Sequence, residues 1–313
     1  MNISDILLGA AIIIAAPAVN RVGEAKAQQI HPDQVVVDSP FVHDPVLAYE
    51  NGKYYLYSTG HGISQMTSAD RKHWTLCREG VLKNHEIPAW THDSVPGFHT
   101  HIWAPDVIHY RNKWYLAYSC STFGKNTSAI GLLSNTSLAN MNGWKDEGCI
   151  LASEGKRDNW NAIDPNFVID DKGNPWMTWG SFWDGIQLVK LDKKTMHVKK
   201  GAKPQTIARR HAFGDASAEL NPTSKFAGTN AIEAPFIMKH GDYYYLFVSW
   251  DYCCRGIKSN YRVAVGRSKN VAGPYLDKNG KDMRNGGGTL ILEGDKKEFE
   301  AMGHCSAYSF PDG

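Results

Sequence analysis

Four segments of the chain repeat one pattern: an apolar strand with a carboxylate close to proline, a polar turn, and a returning strand rich in tyrosine and tryptophan. They are "HDPVLAYENGKYYLYST" from His43, "WAPDVIHYRNKWYLAYS" from Trp103, "AIDPNFVIDDKGNPWMTWGS" from Ala162 and "IEAPFIMKHGDYYYLFVSW" from Ile232. The turns Asn51-Gly52, Arg111-Asn112, Lys172-Gly173 and His240-Gly241 between apolar runs are β-hairpin signals. The carboxylates Asp44, Asp106, Asp164 and Glu233 follow one another at steps of 62, 58 and 69 residues, and a further step of 71 reaches His304 in "GHCSAYSFPDG". Short strands at this period, with no convincing amphipathic helix between them, fit the blades of a β-propeller better than a sandwich or a TIM barrel. Four strands at ~3.3 Å per residue plus turns need about 40 to 50 residues per blade. The surplus is expected in loops such as 83–102 and 206–230.

Proline beside each carboxylate fixes φ and removes a donor, which suits a strand start or a bulge. The carboxylates are therefore expected near one end of the innermost strands, at the mouth of a central channel. There they repel one another, so at least one keeps a proton near neutral pH. A protonated acid beside an ionised carboxylate is what glycoside cleavage needs. Trp103, Phe123, Phe182 and Trp183 lie close to the same mouth in sequence and offer faces on which sugar rings stack. Any one Asp-Pro on its own reads equally well as a turn; the set repeating in phase points to a site.

The rest of the composition narrows the class. With 34 Lys and Arg against 32 Asp and Glu, the net charge of +2 gives no reason to expect nucleic acid or an anionic membrane as partner. The basic stretch "DKKTMHVKKGAKP" from Asp192 reads as a solvated hairpin edge. Residues 6–19 form a nearly unbroken apolar run, and "AKA" at 25–27 has the small-x-small pattern of a signal-peptidase site. Residues 1–27 are therefore expected to be a secretory signal, and 28–313 a single catalytic domain that is secreted or periplasmic. "MNISD" carries Asp5 and no Lys or Arg, which leaves an uncleaved anchor as the alternative. Six cysteines in 313 residues make no disulfide framework, and no spacing suggests zinc, so buried free thiols are expected.

"VHDP", "WAPDV", "NAIDPN", "GSFWDGI", "IEAPF", "YCCRG" with "YRVAVGRS", "GGGTLIL" and the "GH" of residues 303–304 resemble, in order, the landmarks of glycoside hydrolase family 43, and within it the endo-1,5-α-L-arabinanases. The resemblance runs from about Asp38 to the C-terminus. It implies an all-β, five-bladed propeller that hydrolyses internal α-1,5 bonds of arabinan, a pectin side chain, with inversion. By this likeness Asp44 is the general base, Glu233 the general acid, and Asp164 the residue that orients Glu233 and raises its pKa. Inversion implies that Asp44 and Glu233 stand ~6.5 to 9.5 Å apart. Gly124, Asn161, Ala162, Ile163, Ser181, Phe182 and Trp183 are expected to line the groove, with Trp103 and Phe123 as stacking platforms. Asp106 looks structural. His304 is expected beside one largely water-coordinated calcium ion, with no organic cofactor, and the protein is expected to be a monomer. The chain stops at Gly313, ten residues into the fifth unit, so that blade is expected to be incomplete.

Two other readings share these motifs. An exo-acting arabinofuranosidase or β-xylosidase would use the same carboxylates in a closed pocket. A non-catalytic glycan-binding propeller would not need all three.

Overall fold

The computed structural model describes residues 34–77, 79–212 and 230–310. The expected signal segment and most of the loop 206–230 lie outside the described residues. Among the described residues no helix is long and apolar enough to cross a membrane.

The four repeated segments become the inner hairpins of four antiparallel sheets, the blades of a β-propeller. Blade 1 runs Val46–Glu50, Lys53–Ser58, Ser64–Ser68 and Trp74–Cys77, with Gln34–Val37 added outside the last strand. Blade 2 runs His101–Tyr110, Lys113–Cys120, Ser128–Asn135 and Lys145–Ser153. Blade 3 is Asn166–Ile169, Pro175–Trp179, Ile186–Lys190 and Gln205–Ala208; blade 4 is Ile232–His240, Tyr243–Trp250, Arg262–Ser268 and Thr289–Glu293. In the first hairpin Asn51 and Gly52 both take positive φ, 51° and 81°, as a two-residue type I′ turn demands. The loop 83–102 holds one 3-10 turn, Lys83–His85, and the five-residue helix Trp90–Ser94.

The aromatic returning strands explain the packing. Tyr57, Tyr118, Trp179 and Tyr244, one from the second strand of each blade, are all buried, each contributing roughly 2–3 kcal/mol. Their apolar neighbours form clusters between blades: one joins blades 1 and 2, one joins 2 and 3, one joins 3 and 4.

Polar contacts close the same circuit at the inner strands. Thr59 Oγ1 accepts the Ala104 N–H at 2.8 Å, linking blades 1 and 2. Asp106 Oδ2 accepts the Phe167 N–H at 2.7 Å, and Asn166 Oδ1 the Ile237 N–H at 2.8 Å, linking 2 to 3 and 3 to 4. Residues 301–310 complete the circuit. The His304 N–H donates to Ser249 Oγ of blade 4, and the Tyr308 hydroxyl accepts the Leu47 N–H of blade 1. The described residues form four sheets, one short of the expected five blades; residues 301–310 carry the repeat's opening residues without strand pairing.

One backbone feature recurs five times. Asp44, Ala104, Asp164 and Ala234, each preceding a proline, take left-handed φ of 52°, 43°, 58° and 52°, and His304 follows at 48°. Side-chain-bearing residues reach this region only at a cost of ~1–3 kcal/mol each, a strain that clusters at functional sites. Ladder irregularities beside Ala104 and Ala234 mark the bulges. The structural period is therefore counted on these residues. Asp44 and Asp164 occupy the left-handed position itself, whereas Glu233 precedes it and Asp106 follows it by two. That offset sends the Asp106 carboxylate between blades instead of into the channel.

Candidate active site

The left-handed positions and the residues beside them converge on one cavity of about 610 Å³. Asp44, Asp164 and Glu233 all line it, as do Trp103, Phe123, Gly124, Asn161, Ile163, Ser181, Phe182, Trp183 and His304. Ala162 does not. It is fully buried in the cluster between blades 2 and 3, its N–H donating to Ser153 Oγ at 2.9 Å, so the expectation that it touches ligand is corrected.

Asp44 is surrounded by donors. Thr59 Oγ1 donates to its Oδ2 at 2.5 Å, His304 Nδ1 stands 3.0 Å from Oδ1, and His43 Nε2 3.5 Å from the same oxygen. Burial opposes its charge, but the two imidazoles and the threonine outweigh burial and hold the carboxyl well below the usual range. His304 shows the other side of this pairing. Burial favours its neutral form, yet Asp44, Asp164 and Glu233 together push it up to about 9.

Asp164 and Glu233 behave oppositely. Asp164 is 7% exposed and receives the Ala234 N–H at 3.1 Å, which pins it to the residue after Glu233. Glu233 Oε2 accepts Ser181 Oγ–H at 2.6 Å, and the buried Tyr261 hydroxyl bonds the same carboxylate. Burial raises both carboxyls above their ordinary values, and the charge of Glu233 pushes Asp164 further. Two carboxyls so placed titrate as a pair and keep a proton between them long after Asp44 has ionised. One ionised carboxylate facing a protonated pair is an acid–base division of labour.

The walls follow from local structure. Ser181 makes an isolated bridge to Glu233, and the Phe182 N–H donates to Ile232 O at 2.8 Å, so the "SFW" segment rides on blade 4. Phe182 and Trp183 both take positive φ there, 58° and 41°. Trp183 is 5% exposed and offers little face, while Phe182 lies 5.8 Å from the Tyr252 ring. Phe123, also at the cavity, is 80% exposed. Trp103 sends its indole N–H to His101 Nδ1 at 3.2 Å.

Several lining residues were not singled out from sequence: His43, Thr59, Tyr252, Tyr261 and the pair Cys253-Cys254. "YCCRG" and "YRVAVGRS" lay in quoted landmarks, so Tyr252, the two cysteines and Tyr261 had a signal; Thr59, in a strand-end "STG", had none. The expectation of buried thiols is met by Cys120 alone: Cys77, Cys149, Cys253 and Cys305 are half-buried and Cys254 is exposed.

Calcium takes six to eight oxygen ligands. Among the described residues no group of three or more His, Cys, Asp and Glu side chains is placed to hold a metal, and His304 Nδ1 faces Asp44. The protein side chains present do not fit a directly ligated calcium, and no chemical step is derived through one.

The model of the family described as "Glycosyl hydrolases family 43" matches residues 34–313. An extracellular exo-α-(1→5)-L-arabinofuranosidase of Cellvibrio japonicus is 44% identical over 86% of this chain and 76% of its own. An extracellular endo-α-(1→5)-L-arabinanase of Bacillus subtilis is 42% identical over 81% of this chain and 73% of its own. Among solved structures, an exo-1,5-α-L-arabinanase from a bovine ruminal metagenomic library is 53% identical with a TM-score of 0.78, over 88% of this chain and 86% of that one. An α-L-arabinanase of Cellvibrio cellulosa in complex with arabinohexaose is 43% identical, TM-score 0.79, over 86% and 84%.

Proposed function

The chain belongs to glycosyl hydrolase family 43, and from that premise we propose that it hydrolyses internal α-1,5-L-arabinofuranosidic bonds of arabinan with inversion of configuration. The observation that carries the reading is the electrostatic split around one cavity: Asp44 held ionised by His304, His43 and Thr59, opposite an Asp164–Glu233 pair that retains a proton. In the proposed mechanism Asp44 takes a proton from water as that water attacks the anomeric carbon. Glu233 gives its proton to the departing glycosidic oxygen, and Ser181 and Tyr261 then stabilise the carboxylate it becomes. Asp164 holds the Ala234 backbone and, by sharing charge with Glu233, keeps the acid loaded.

The arabinan-acting names of the relatives support the substrate class. Internal cleavage is supported by a second concavity, about 400 Å³, that shares Asp44, Cys254 and His304 with the first and runs on past Val42 toward Phe299. Space that continues beyond Asp44 suits a chain longer than the sugar being cleaved. The exo reading is favoured by the names of two relatives at 44% and 53% identity. The same proposal takes the domain as a five-bladed propeller whose fifth unit starts at His304, acting as a monomer outside the cytoplasm, where two relatives are named extracellular. It keeps one water-held calcium ion beside His304, tested by whether a chelator lowers the rate and calcium restores it.

Debranched arabinan digested with the protein, with viscosity and reducing ends followed together, tests the reading. A fast viscosity loss at few new ends, absent in Glu233→Ala, is expected. Steady release of arabinose at preserved viscosity selects the exo reading, and an active Glu233→Ala removes Glu233 from its role.

A further inference from the structure

Cys253 and Cys254 stand in the cavity wall and have no part in the hydrolysis described above. Neighbouring side chains on an extended backbone point to opposite sides. Here Cys254 takes φ 59°, the turn brings the two side chains together, and their sulfurs lie 2.7 Å apart, against ~2.05 Å for a covalent S–S bond. The two thiols differ in character. Cys254 is exposed, and the Cys253 S–H and the His43 ring beside it pull its thiol down to about 5. Cys253 is half-buried, and its contact with Cys254 and its burial push its thiol up. A thiolate open to solvent next to a protonated thiol is the arrangement of an attacking and a resolving cysteine. Burial pushes up the thiols of Cys120, Cys149 and Cys305, which keeps them unreactive.

We propose that Cys253 and Cys254 form a thiol–disulfide modification site, which a low-molecular-weight disulfide such as oxidised glutathione converts to a vicinal disulfide and a dithiol reductant restores. The Cys254 thiolate attacks one sulfur of the reagent, forming a mixed disulfide and expelling one glutathione thiolate, which takes a proton from the His43 imidazolium. Cys253 Sγ then attacks Cys254 Sγ and expels the second glutathione, which carries off the Cys253 proton. The protein's two thiols are oxidised to one disulfide, and one glutathione disulfide is reduced to two thiols. The eight-membered ring so closed is strained, which makes it readily reducible.

The site touches both sides of the proposed chemistry. Cys253 Sγ lies 3.8 Å from Glu233 Oε1, and Cys254 contacts His43, which in turn lies 3.5 Å from Asp44 Oδ1. Closing the ring removes a donor from beside the acid and an anion from beside His43. The lost donor is expected to raise the Glu233 pKa by about half a unit, shifting the basic limb of the pH–rate profile upward and changing the rate on that limb about threefold. That consequence rests on the function proposed above; the thiol chemistry does not.

The test uses the whole protein, treated with excess oxidised glutathione, alkylated with iodoacetamide and cleaved with trypsin. The peptide 240–255 carries both cysteines and no other. It is expected unalkylated and short of two hydrogens, with dithiothreitol restoring two alkylated sites; Cys253→Ser is expected to stop at a glutathione adduct on Cys254. Two alkylated sites after oxidation, or a stable glutathione adduct in the unsubstituted protein, overturns the proposal. The rate measured on that limb with the same samples separates the two claims: an oxidised peptide with an unchanged rate overturns the coupling to the carboxylates.

Discussion

Thr59→Val isolates how Asp44 is kept ionised. One hydroxyl donates to Asp44 Oδ2 at 2.5 Å and accepts the Ala104 N–H at 2.8 Å, and valine keeps its shape while deleting both bonds. A hydrogen bond to a charged group contributes ~1.5–3 kcal/mol, and 1.36 kcal/mol corresponds to about one pKa unit. The Asp44 pKa is therefore expected to rise by ~1–2 units in the variant. Because the folded-state pKa lies below the ordinary value, the stability Asp44 contributes is present in full above about pH 4 and is lost as pH falls through the folded pKa. The unpaired Ala104 N–H adds ~1–3 kcal/mol at every pH. Denaturation at neutral and acid pH should then show a destabilisation that is largest near pH 7 and narrows in acid. The base must be ionised to work, so the acid limb of kcat/KM should move up by the same ~1–2 units. An unmoved acid limb, with a stability loss equal at both pH values, would refute the reasoning.

Asp164→Asn keeps an oxygen for the Ala234 N–H and removes the charge shared with Glu233; Glu233 should ionise more easily, moving the basic limb of the pH–rate profile to lower pH. Phe123→Ala should raise KM by roughly 5- to 30-fold, ~1–2 kcal/mol of ring burial against substrate. Its melting temperature should stay unchanged, since the ring is 80% exposed in the folded chain. Asp106→Ala strands the Phe167 N–H and the Asn166 amide between blades 2 and 3 and should cost ~2–4 kcal/mol in urea unfolding, without shifting either limb of the pH profile.

Much of this was legible because the fold repeats. The hairpin turns, the aromatic second strands and the placement of prolines all recur, and recurrence separates Asp44 and Asp164 from ordinary Asp-Pro turns. What escaped was anything set by register within the bulge. Asp106 and Glu233 sit in similar letters, yet a two-residue offset from the left-handed position aims one between blades and leaves the other facing the channel. Ala162 went the same way: its neighbours Asn161 and Ile163 line the cavity while it packs into the core. Thr59 and Tyr261 act through contacts with residues 15 and 28 positions away that the pairing of strands within blades 1 and 4 brings together, and no local spacing announces that. Burial raises both Asp164 and Glu233, and the charge of Glu233 pushes Asp164 further, the reverse of the direction of influence that the likeness implied.

The division of labour between Asp44 and Glu233 is tested most directly by the stereochemistry of the first product. Proton NMR of the reducing end formed from an α-1,5-linked arabino-oligosaccharide, recorded before mutarotation, is expected to show the β anomer appearing first, as attack by an Asp44-activated water from the opposite face requires. An α anomer formed first would mean retention, a carboxylate acting as nucleophile, and the account of Asp44 as base would be wrong.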